Sequence, residues 1–318
     1  PIRALTRASA AFMSSPPEGF ADSPILSPRG ALFIAREDQL PAMQELHDEL
    51  RAEGNFEELD EAGIRGLQPL VSEGYAAAGL YDVNCEDIDV ATLHQGFLRR
   101  ARARGCTTVT NAEVLSLEQL GDGWGVHTTA GQFEAPRVVN AAGAWADALG
   151  RMAGVEPIGL IPKRRTAMQI AAPDGAEVGG WPIVVDVQEE FYVKPVAGQL
   201  LLSPANEDHD VPSDVQPDEL DIAICVDRVE RAFDFRVGRI ETRWAGLRSF
   251  VADKCPVAGY SAEVPGFFWL AGQGGYGIQT SPALGELAAA LVLGKPLPQA
   301  MVDEGVDLAT LAPERLSA

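Results

Sequence analysis

FFWLAGQGGYGIQTSPALG, residues 267–285, is the stretch of this 318-residue chain that decides the fold. It starts with an apolar run of strand type and then carries four glycines within six residues, from Gly272 to Gly277. The pattern that follows is helical, and we predict that this helix begins with Ser281 as its N-cap and Pro282 at its first position. A strand, a glycine loop and a helix N-terminus together let backbone approach a flat or charged ligand closely. The stretch therefore predicts a ligand-binding turn.

Composition limits the classes of function. The chain is 46% hydrophobic and long enough for two domains or one large domain, so we expect a folded protein rather than a disordered one. Its formal charge of −21 repels nucleic acid and anionic membranes, and we expect neither as a partner. No apolar run approaches ~18 residues, so no membrane-spanning helix is predicted. We expect a cytoplasmic protein, with peripheral attachment to an inner membrane as the open alternative.

The cysteine pattern is typical of free thiols. Cys85, Cys106, Cys225 and Cys255 are widely spaced, and none has a histidine at metal-binding spacing. Such cysteines are usually reduced and mostly buried in proteins of a reducing compartment. We therefore predict neither a disulfide nor a metal site.

The beginning of the chain lacks an expected signal. Ile2, Leu5, Ala8 and Phe12 already follow helical spacing, without a capping residue before them. Within residues 1–266 no predicted strand leads into G-x-G-x-x-G, the fingerprint that holds a dinucleotide pyrophosphate. We expect residues 1–19 to form a connecting helix in a protein that lacks its first nucleotide-binding βαβ unit.

Periodicity predicts both helices and strands along the rest of the chain. Helices are predicted over 39–52, from Asp87 or Asp89 to 105, from about 144 onward, and over 220–232. Residues 107–142 alternate as a strand at 107–110, a small antiparallel meander with a turn at 121–123, and a return strand from 137. Further strands are predicted over 31–35, 167–171, 183–187, 191–196, 199–203 and 239–249.

Several collinear segments carry a family resemblance. They are residues 138–146 (VVNAAGAWA), 191–195 (FYVKP) and 244–250 (WAGLRSF), the last followed by Pro256-Val257-Ala258-Gly259. Together with residues 267–285, they resemble the D-amino-acid oxidase superfamily of FAD-dependent oxidoreductases. Residues 163–165, 203–206 and 276–281 look most like the bacterial D-arginine dehydrogenases and their broad-specificity D-amino-acid dehydrogenase relatives.

The resemblance implies an α/β fold of mixed α+β character. In it, a Rossmann-like FAD-binding domain is interleaved with a substrate domain built on a large mixed sheet. We expect the FAD-binding domain, without its N-terminal βαβ unit, to comprise 85–150 and 266–300. The substrate domain then comprises 20–84 and 151–265, and residues 301–318 form a C-terminal tail.

The resemblance also places four residues at the substrate. Arg248 is expected to hold a carboxylate, because a guanidinium can donate two parallel hydrogen bonds; the alternative is an ordinary salt bridge with Asp253. Tyr192 is expected to donate to the same carboxylate, with a buried structural tyrosine as the alternative. Arg165 stands in a Lys-Arg-Arg run, which on its charge pattern alone indicates a solvated face. The backbone carbonyl of Gly275 is the expected acceptor for the substrate amine.

The cofactor implied is FAD, held without a covalent link, because the segment around Arg248 has no cysteine where flavin-tethering relatives carry one. Val114 is expected at the adenine through its backbone, and Gly143 in the turn beneath the flavin. The other expected FAD-binding residues belong to the glycine loop and the helix after it: Gly272, Gly274, Gly275, Tyr276, Gly277, Ile278 and Gln279. A helix N-terminus there would stabilise the negative charge of a reduced flavin.

The function implied is oxidation of a D-amino acid to a 2-oxo acid and ammonia, in amino-acid catabolism. A hydride would pass from the substrate Cα to flavin N5, and the final electron acceptor is open between oxygen and a quinone. Residues 27–32 (SPRGAL) lack the glutamate with which D-arginine dehydrogenase pairs the substrate guanidinium, so we expect a broader or more apolar substrate range. Two alternatives stay open: a secondary-amine or glycine oxidase on the same fold, and a non-catalytic, truncated remnant that does not hold flavin.

Overall fold

A nine-stranded mixed sheet dominates the computed structural model, which describes residues 1–51 and 56–316. The helices extend over Ile2–Ser14 (α1), Leu40–Leu50 (α2), Glu61–Leu67 (α3), Val90–Ala103 (α4), Ala146–Met152 (α5), Glu219–Ala232 (α6), Gly277–Val292 (α7) and Gln299–Asp303 (α8). The strands extend over Leu26–Pro28 (β1), Ala31–Ala35 (β2), Phe56–Leu59 (β3), Ala78–Asp82 (β4), Glu86–Ile88 (β5), Val114–Leu120 (β6), Gly123–Thr128 (β7), Gly131–Ala135 (β8), Val138–Asn140 (β9), Ile161–Ala171 (β10), Ile183–Asp186 (β11), Tyr192–Val196 (β12), Gln199–Ser203 (β13), Asp208–His209 (β14), Ile240–Phe250 (β15), Val257–Tyr260 (β16) and Phe267–Ala271 (β17). The predicted mixed α/β class is confirmed.

The large sheet follows the order β14-β10-β13-β12-β11-β2-β4-β3, and β15 pairs with β10. β11 and β2 run parallel, whereas the other pairs are antiparallel. β10 is longer than the predicted strand at 167–171, because β15 pairs with it from Ile161 to Ile170. The Lys-Arg-Arg run is therefore part of a strand.

The two faces of this sheet differ in chemistry, because successive side chains of a strand point to opposite faces. Met168 and Leu202 belong to the main hydrophobic core, which includes residues of α6. Arg165, Tyr192 and Arg248 stand at alternate positions of their strands and belong to the opposite face. We call this opposite face the site face.

A second sheet, with the order β16-β17-β9, positions the glycine loop. β17 and β9 are parallel neighbours, with Trp269 opposite Asn140, and β16 pairs antiparallel with β17. The loops that follow β9 and β17 are therefore neighbours at one edge of the sheet. Helices α1 and α7 pack on this sheet through a shared cluster that includes Leu5, Phe268 and Leu287. The predicted meander is confirmed as β6, β7 and β8.

Helix α7 begins about one turn earlier than predicted. It already includes the residues before Ser281, and Pro282 lies inside it, so the predicted start is wrong. Pro282 has no N–H to donate to the carbonyl of Ile278. The Ser281 hydroxyl donates to that carbonyl instead (2.9 Å), and the N–H of Ala283 donates to the hydroxyl of Ser9 in α1 (3.1 Å). The hydroxyl groups of Ser281 and Ser9 thus supply the hydrogen bonds around Pro282 inside the helix. Proline is usually found at the first position of a helix, so this arrangement was not predicted.

Three other boundaries test the sequence patterns. Residues 107–110, all within the described part of the chain, form no strand and are exposed, since alternation does not supply a pairing partner. The predicted helix at 39–52 is a 3₁₀ turn, Glu37–Gln39, followed by α2; residue 52 lies outside the described residues. The predicted cap of α4 is confirmed, because the Asp89 carboxylate accepts a hydrogen bond from the N–H of Thr92 (2.9 Å).

The division into two domains stays a prediction, and residues 52–55 and 317–318 of its segments lie outside the described residues.

Cys225 of α6 gives a first testable prediction. The thiol is buried in the main core, and burial raises its pKa from an ordinary value near 9 to about 12. At pH 8 we expect a thiol reagent to label the exposed Cys106 rapidly and Cys225 only after unfolding. Because the folded pKa is the higher one, the unfolded thiol ionises first, so the stability that Cys225 contributes is lost as pH rises from 9 towards 12.

Mass spectrometry of labelled peptides checks the first expectation. Urea unfolding at pH 8 and pH 10, with Cys225→Val as the control variant, checks the second. Equal labelling of both cysteines in the folded protein would contradict the buried thiol.

Candidate active site

A cavity of about 480 Å³ lies between the site face of the large sheet and the glycine loop after β17. Arg165, Tyr192 and Arg248 line it from the sheet, and Gly275 and Gln279 line it from the loop and α7. The fold therefore brings together in one cavity all four residues predicted at the substrate, although they come from separate segments of the chain.

A second cavity, of about 580 Å³, lies beside α2 and β4. Its described lining residues include His47 and Glu58 but no arginine or lysine. An anionic ligand needs a cationic or donor-rich partner when it leaves water. Chemistry, rather than volume, therefore selects the first cavity as the candidate site.

Arg248 is the cation best placed to receive an anion. Its guanidinium is half-buried and forms no hydrogen bond or ion pair with the residues that the structure describes. A Cβ added at Gly275 would lie 3.2 Å from Arg248 Nη1, so the guanidinium lies directly against the loop backbone. Asp253 pairs instead with Arg315 (Oδ2 to Nε 2.7 Å), so the alternative of an Arg248–Asp253 salt bridge is wrong. Arg248 is thus available to an anion that enters the cavity.

Arg165 is more deeply buried, with 9% of its surface exposed. Its Nη2 bonds Glu207 Oε1 at 3.3 Å, while its buried Nε has no partner among the described residues. Burial lowers the pKa of the Arg165 guanidinium, and the positive charge of Arg248 lowers it further. Lys163 also binds Glu207 (2.8 Å), whereas Arg164 belongs to the other face of the strand. The interpretation of this charge run as one solvated face is wrong, since strand alternation divides it.

Tyr192 and Lys194 line the cavity along β12. Within residues 1–51 and 56–316, the Tyr192 hydroxyl has no hydrogen-bond partner, so it can donate to a ligand. Lys194 Nζ lies 2.6 Å from Asp87 Oδ1, so its charge is already matched. The two side chains are neighbours on one strand, but only Tyr192 is free to bind.

The glycine loop closes the cavity on the side away from the sheet. Gly274 has a left-handed backbone (φ +55°) and lies against the Phe250 ring, so that a Cβ there would overlap the ring. Tyr276 and Gln279 also line the cavity, and Gln279 Nε2 donates to Thr6 Oγ1 of α1 (3.0 Å). Helix α1 therefore helps to hold the start of α7 in place.

The loops after β9 and β17 form a second feature, at the edge of the smaller sheet. Gly143 (φ +57°) follows β9 and Gly272 (φ +71°) follows β17. Because the two strands are parallel neighbours, these glycines meet where open α/β sheets bind ligands. The same segments expose Trp145 and Ile278, and backbone without Cβ atoms beside apolar surface fits a flat ring system. Gly143, Ile278 and Val114 lie outside the described lining of the cavity.

Two acidic residues of the cavity were missed by sequence reasoning. Glu207 follows β13; burial opposes ionisation of its carboxyl, but Lys163 outweighs that effect and holds the pKa below its ordinary range. Glu189 lies in the turn between β11 and β12 and also lines the cavity. The sequence did contain a signal for these two acids, namely the order of the successive antiparallel strands β11, β12 and β13. Alternate turns of such strands lie at the same end of a sheet, so the turns that carry Glu189 and Glu207 are neighbours.

Two further searches cover the described residues only. Among them, no group of three His, Cys, Asp or Glu side chains is placed to hold a metal ion. Nor does any helix in that part of the chain have the length and apolar character needed to cross a membrane.

Comparison with known proteins adds a family. A sequence model described as "DAO: FAD dependent oxidoreductase" matches residues 3–291. The chain is 27% identical to the uncharacterized oxidoreductase YurR of Bacillus subtilis over 252 residues, which cover 76% of this chain and 64% of that protein. It is also 27% identical to human mitochondrial sarcosine dehydrogenase over 289 residues, which cover 84% of this chain and 31% of that protein.

A shorter match, of 143 residues at 31% identity, is to human mitochondrial dimethylglycine dehydrogenase; it covers 44% of this chain and 16% of that protein. The chain spans less than two thirds of the length of each of these three relatives.

Solved structures share the fold at low sequence identity. Glycine oxidase from Geobacillus kaustophilus superposes with a TM-score of 0.81 at 22% identity, covering 98% of this chain and 82% of that one. L-proline dehydrogenase from P. horikoshii superposes with a TM-score of 0.76 at 20% identity, covering 99% and 83%. These similarities agree with the arrangement of the sheets described above.

Proposed function

Because this chain belongs to the DAO family of FAD-dependent oxidoreductases, we propose that it oxidises the carbon–nitrogen bond of an amine that carries a carboxylate. The unpaired Arg248 is the observation that carries the proposal. A half-buried guanidinium with no partner in the described structure is available to an anion, and a carboxylate matches its fork of donors.

FAD fits the loops at the edge of the smaller sheet. We propose that Gly143 and Gly272 admit the ring system and that Gly274, Gly277 and the first amides of α7 contact its edge. FAD, when bound, takes up the electrons and the hydrogen that leave the substrate carbon. No cysteine lies in β15, so we propose a non-covalent cofactor.

The chain's own residues then bind and orient the substrate. Arg248 holds the carboxylate, and the free hydroxyl of Tyr192 donates a further hydrogen bond to it. The carbonyl of Gly275 accepts a hydrogen bond from the amine. Val185 and Phe250 line the cavity with apolar surface, which helps to exclude water. Oxidation gives an imine, and hydrolysis of that imine gives a 2-oxo acid and the released amine or ammonia.

Two substrate classes fit this site, and each has its own support. D-Amino acids are supported by the resemblance of residues 163–165, 203–206 and 276–281 and by a cavity that has room for a side chain. Glycine and its N-methylated forms are supported by the names of the relatives, which include sarcosine and dimethylglycine dehydrogenases. We propose D-amino acids as the finer assignment and N-methylated glycines as the second candidate.

A substrate panel tests the proposal. The flavin-loaded protein, mixed anaerobically with D-alanine, L-alanine, glycine, sarcosine or ethylamine, is expected to lose its flavin absorbance only with carboxylate-bearing amines. The pattern within the panel then separates the two classes. Equal bleaching by ethylamine would contradict the role of Arg248, and a chain that stays colourless after incubation with FAD and desalting would contradict flavin binding. Reoxidation of the reduced flavin by air or by a quinone then identifies the electron acceptor.

The cytoplasmic location expected from the sequence stays a prediction.

A further inference from the structure

Two turns at one end of the large sheet carry the acids of the cavity. Glu189 lies in the turn between β11 and β12, and Glu207 lies in the turn between β13 and β14. Each turn contains a left-handed residue other than glycine: Glu189 itself (φ +56°) in the first turn and Ala205 (φ +51°) in the second. This conformation is strained for a residue with a Cβ, and it persists only where surrounding contacts determine it.

Hydrogen bonds within each turn supply part of that support. In the first turn, the buried carboxylate of Asp186 accepts hydrogen bonds from the N–H of Gln188 (3.0 Å) and the N–H of Glu190 (3.2 Å). In the second turn, the N–H of Ala205 donates to Ser203 Oγ (3.1 Å). Each set of bonds joins a turn to its own strand, and neither set joins one turn to the other.

An arginine outside the cavity joins the two turns. Arg228 belongs to α6, and its Nη1 donates to the carbonyl of Glu190 (2.5 Å) and to the carbonyl of Pro204 (3.3 Å). These two carbonyls directly adjoin the strained positions, Glu189 and Ala205. The half-buried Arg228 has no ion pair with a carboxylate in the part of the chain that the structure describes. Its hydrogen bonds therefore serve the backbone of the two turns.

The acids on these turns act on Arg165. Burial lowers the pKa of the Arg165 guanidinium, and the positive charge of Arg248 lowers it further. Tyr192 and the carboxylates of Glu207 and Glu189 act in the opposite direction. Glu207 is the nearer acid, with Oε1 at 3.3 Å from Arg165 Nη2. Two guanidiniums thus face one cavity and repel each other, and the acids on the two turns offset that repulsion.

We propose that Arg228 is a positioning residue of the candidate site, although it lies outside the described lining of the cavity. Its two hydrogen bonds keep both acid-bearing turns beside Arg165. If the turns moved apart, Arg165 would lose its counter-charges, and repulsion from Arg248 would displace it from the bound carboxylate. The inference rests on the proposed function, because the ligand that it concerns is the carboxylate received by Arg248.

The test uses propionate, which has the carboxylate of alanine but no amine, so that its binding requires no oxidation. Its dissociation constant is measured by NMR titration of the flavin-loaded chain. Arg228→Met keeps most of the side-chain length and removes the donors. We expect this variant to raise the dissociation constant about tenfold, the size of one misplaced hydrogen bond to a charged group. Arg228→Lys keeps the charge and a donor, and it should restore most of the affinity.

Anaerobic flavin reduction by D-alanine and by sarcosine adds a kinetic comparison. In Arg228→Met, KM should rise, whereas the rate at saturating substrate should stay within about twofold of the wild type. This split is expected because the turns that Arg228 joins contribute to substrate binding, and the proposed flavin contacts belong to other loops.

Arg231→Met is the matched control. Arg231 belongs to the same helix, is exposed, and uses its donors on Asp227 one turn away (Nε to the carbonyl oxygen, 3.3 Å). Its replacement changes the net charge by the same amount. An unchanged affinity for propionate is expected, which separates the contacts of Arg228 from the overall field of the protein.

A double-mutant cycle separates positioning from a general loss of stability. If Arg228 acts through Arg165, then Arg228→Met should raise the dissociation constant less than about twofold in the Arg165→Gln background. The same tenfold effect in both backgrounds would show that Arg228 acts on the whole fold, and would overturn its positioning role. If Arg228→Met does not fold, Arg228→Gln replaces it in the cycle with the same expectations.

The outcomes distinguish this inference from the proposed function. Wild-type affinity for propionate in a folded Arg228→Met protein would overturn the role of Arg228 and leave the proposed function intact. Failure of the wild type to bind propionate or any carboxylate-bearing amine would overturn the proposed function, and this inference with it.

Discussion

Replacing Arg248 by glutamine will lower kcat/KM for carboxylate-bearing amines by roughly 30-fold to 4,000-fold. The expected loss is that of one partner removed from a buried, hydrogen-bonded charge pair, about 2–5 kcal/mol. Arg248 has no partner within the described structure, so the substitution breaks no internal ion pair. The cost should therefore appear in substrate binding rather than in folding. Flavin reduction at varied substrate concentration measures it, and thermal unfolding confirms that the variant is folded.

Arg243→Gln is the control for this experiment. Arg243 belongs to the same strand, β15, but it pairs with Met168 in the register and so belongs to the opposite face of the sheet. Its Nη1 lies 2.7 Å from Glu219 Oε1 at the surface. If Arg243→Gln lost as much kcat/KM as Arg248→Gln, the loss would follow from removing any arginine of β15. That result would contradict a specific contact between Arg248 and the substrate carboxylate.

Replacing Gly274 by alanine will lower the free energy of unfolding by about 2–4 kcal/mol, the combined cost of overpacking and of a left-handed alanine. The added Cβ would overlap the ring of Phe250, and the backbone φ of +55° is strained for any residue with a Cβ. Since the same loop contributes to the proposed flavin contacts, FAD affinity should fall together with stability. Urea unfolding measures the first effect, and flavin retained after desalting measures the second.

Gly285→Ala is the matched control for Gly274→Ala. Gly285 lies in the middle of α7, where a Cβ would meet nothing within 4 Å. Alanine is preferred over glycine in a helix by roughly 0.5–1 kcal/mol, so this variant should be slightly more stable than the wild type. Similar losses in both variants would contradict the specific role of the Gly274 position.

Local patterns predicted most of the secondary structure, because their causes are local. Asp89 and Asp218 cap α4 and α6 through hydrogen bonds to N–H groups two or three residues away, and such caps can be recognised in a sequence. The start of α7 could not be predicted in this way. Its irregular turn depends on Ser9, which lies far away in sequence.

The candidate site was predictable in part. Arg248, Tyr192 and Gly275 follow from segment resemblance, and the structure places them around one cavity. The acids Glu189 and Glu207 carry no local signal, because their position depends on which strand ends meet. The burial of Arg165 could not be predicted either. A run of three charged residues does not indicate a strand, and it is the strand that places adjacent side chains on opposite faces of the sheet.

The bond between Ser9 and Ala283 has a consequence for the order in which the chain folds. These residues are 274 positions apart, so the bond forms only after the two ends of the chain have met. Contacts of such separation form late, because the entropy of closing the loop opposes them until other structure holds the ends together. The hairpins of the large sheet, such as β11–β12 and β12–β13, pair near neighbours and can form first, whereas the pairing of β11 with β2 joins Ile183 to the distant Ala31. The loop that completes the cavity is then among the last parts to take shape, and a chain arrested before that moment would be folded but unable to bind.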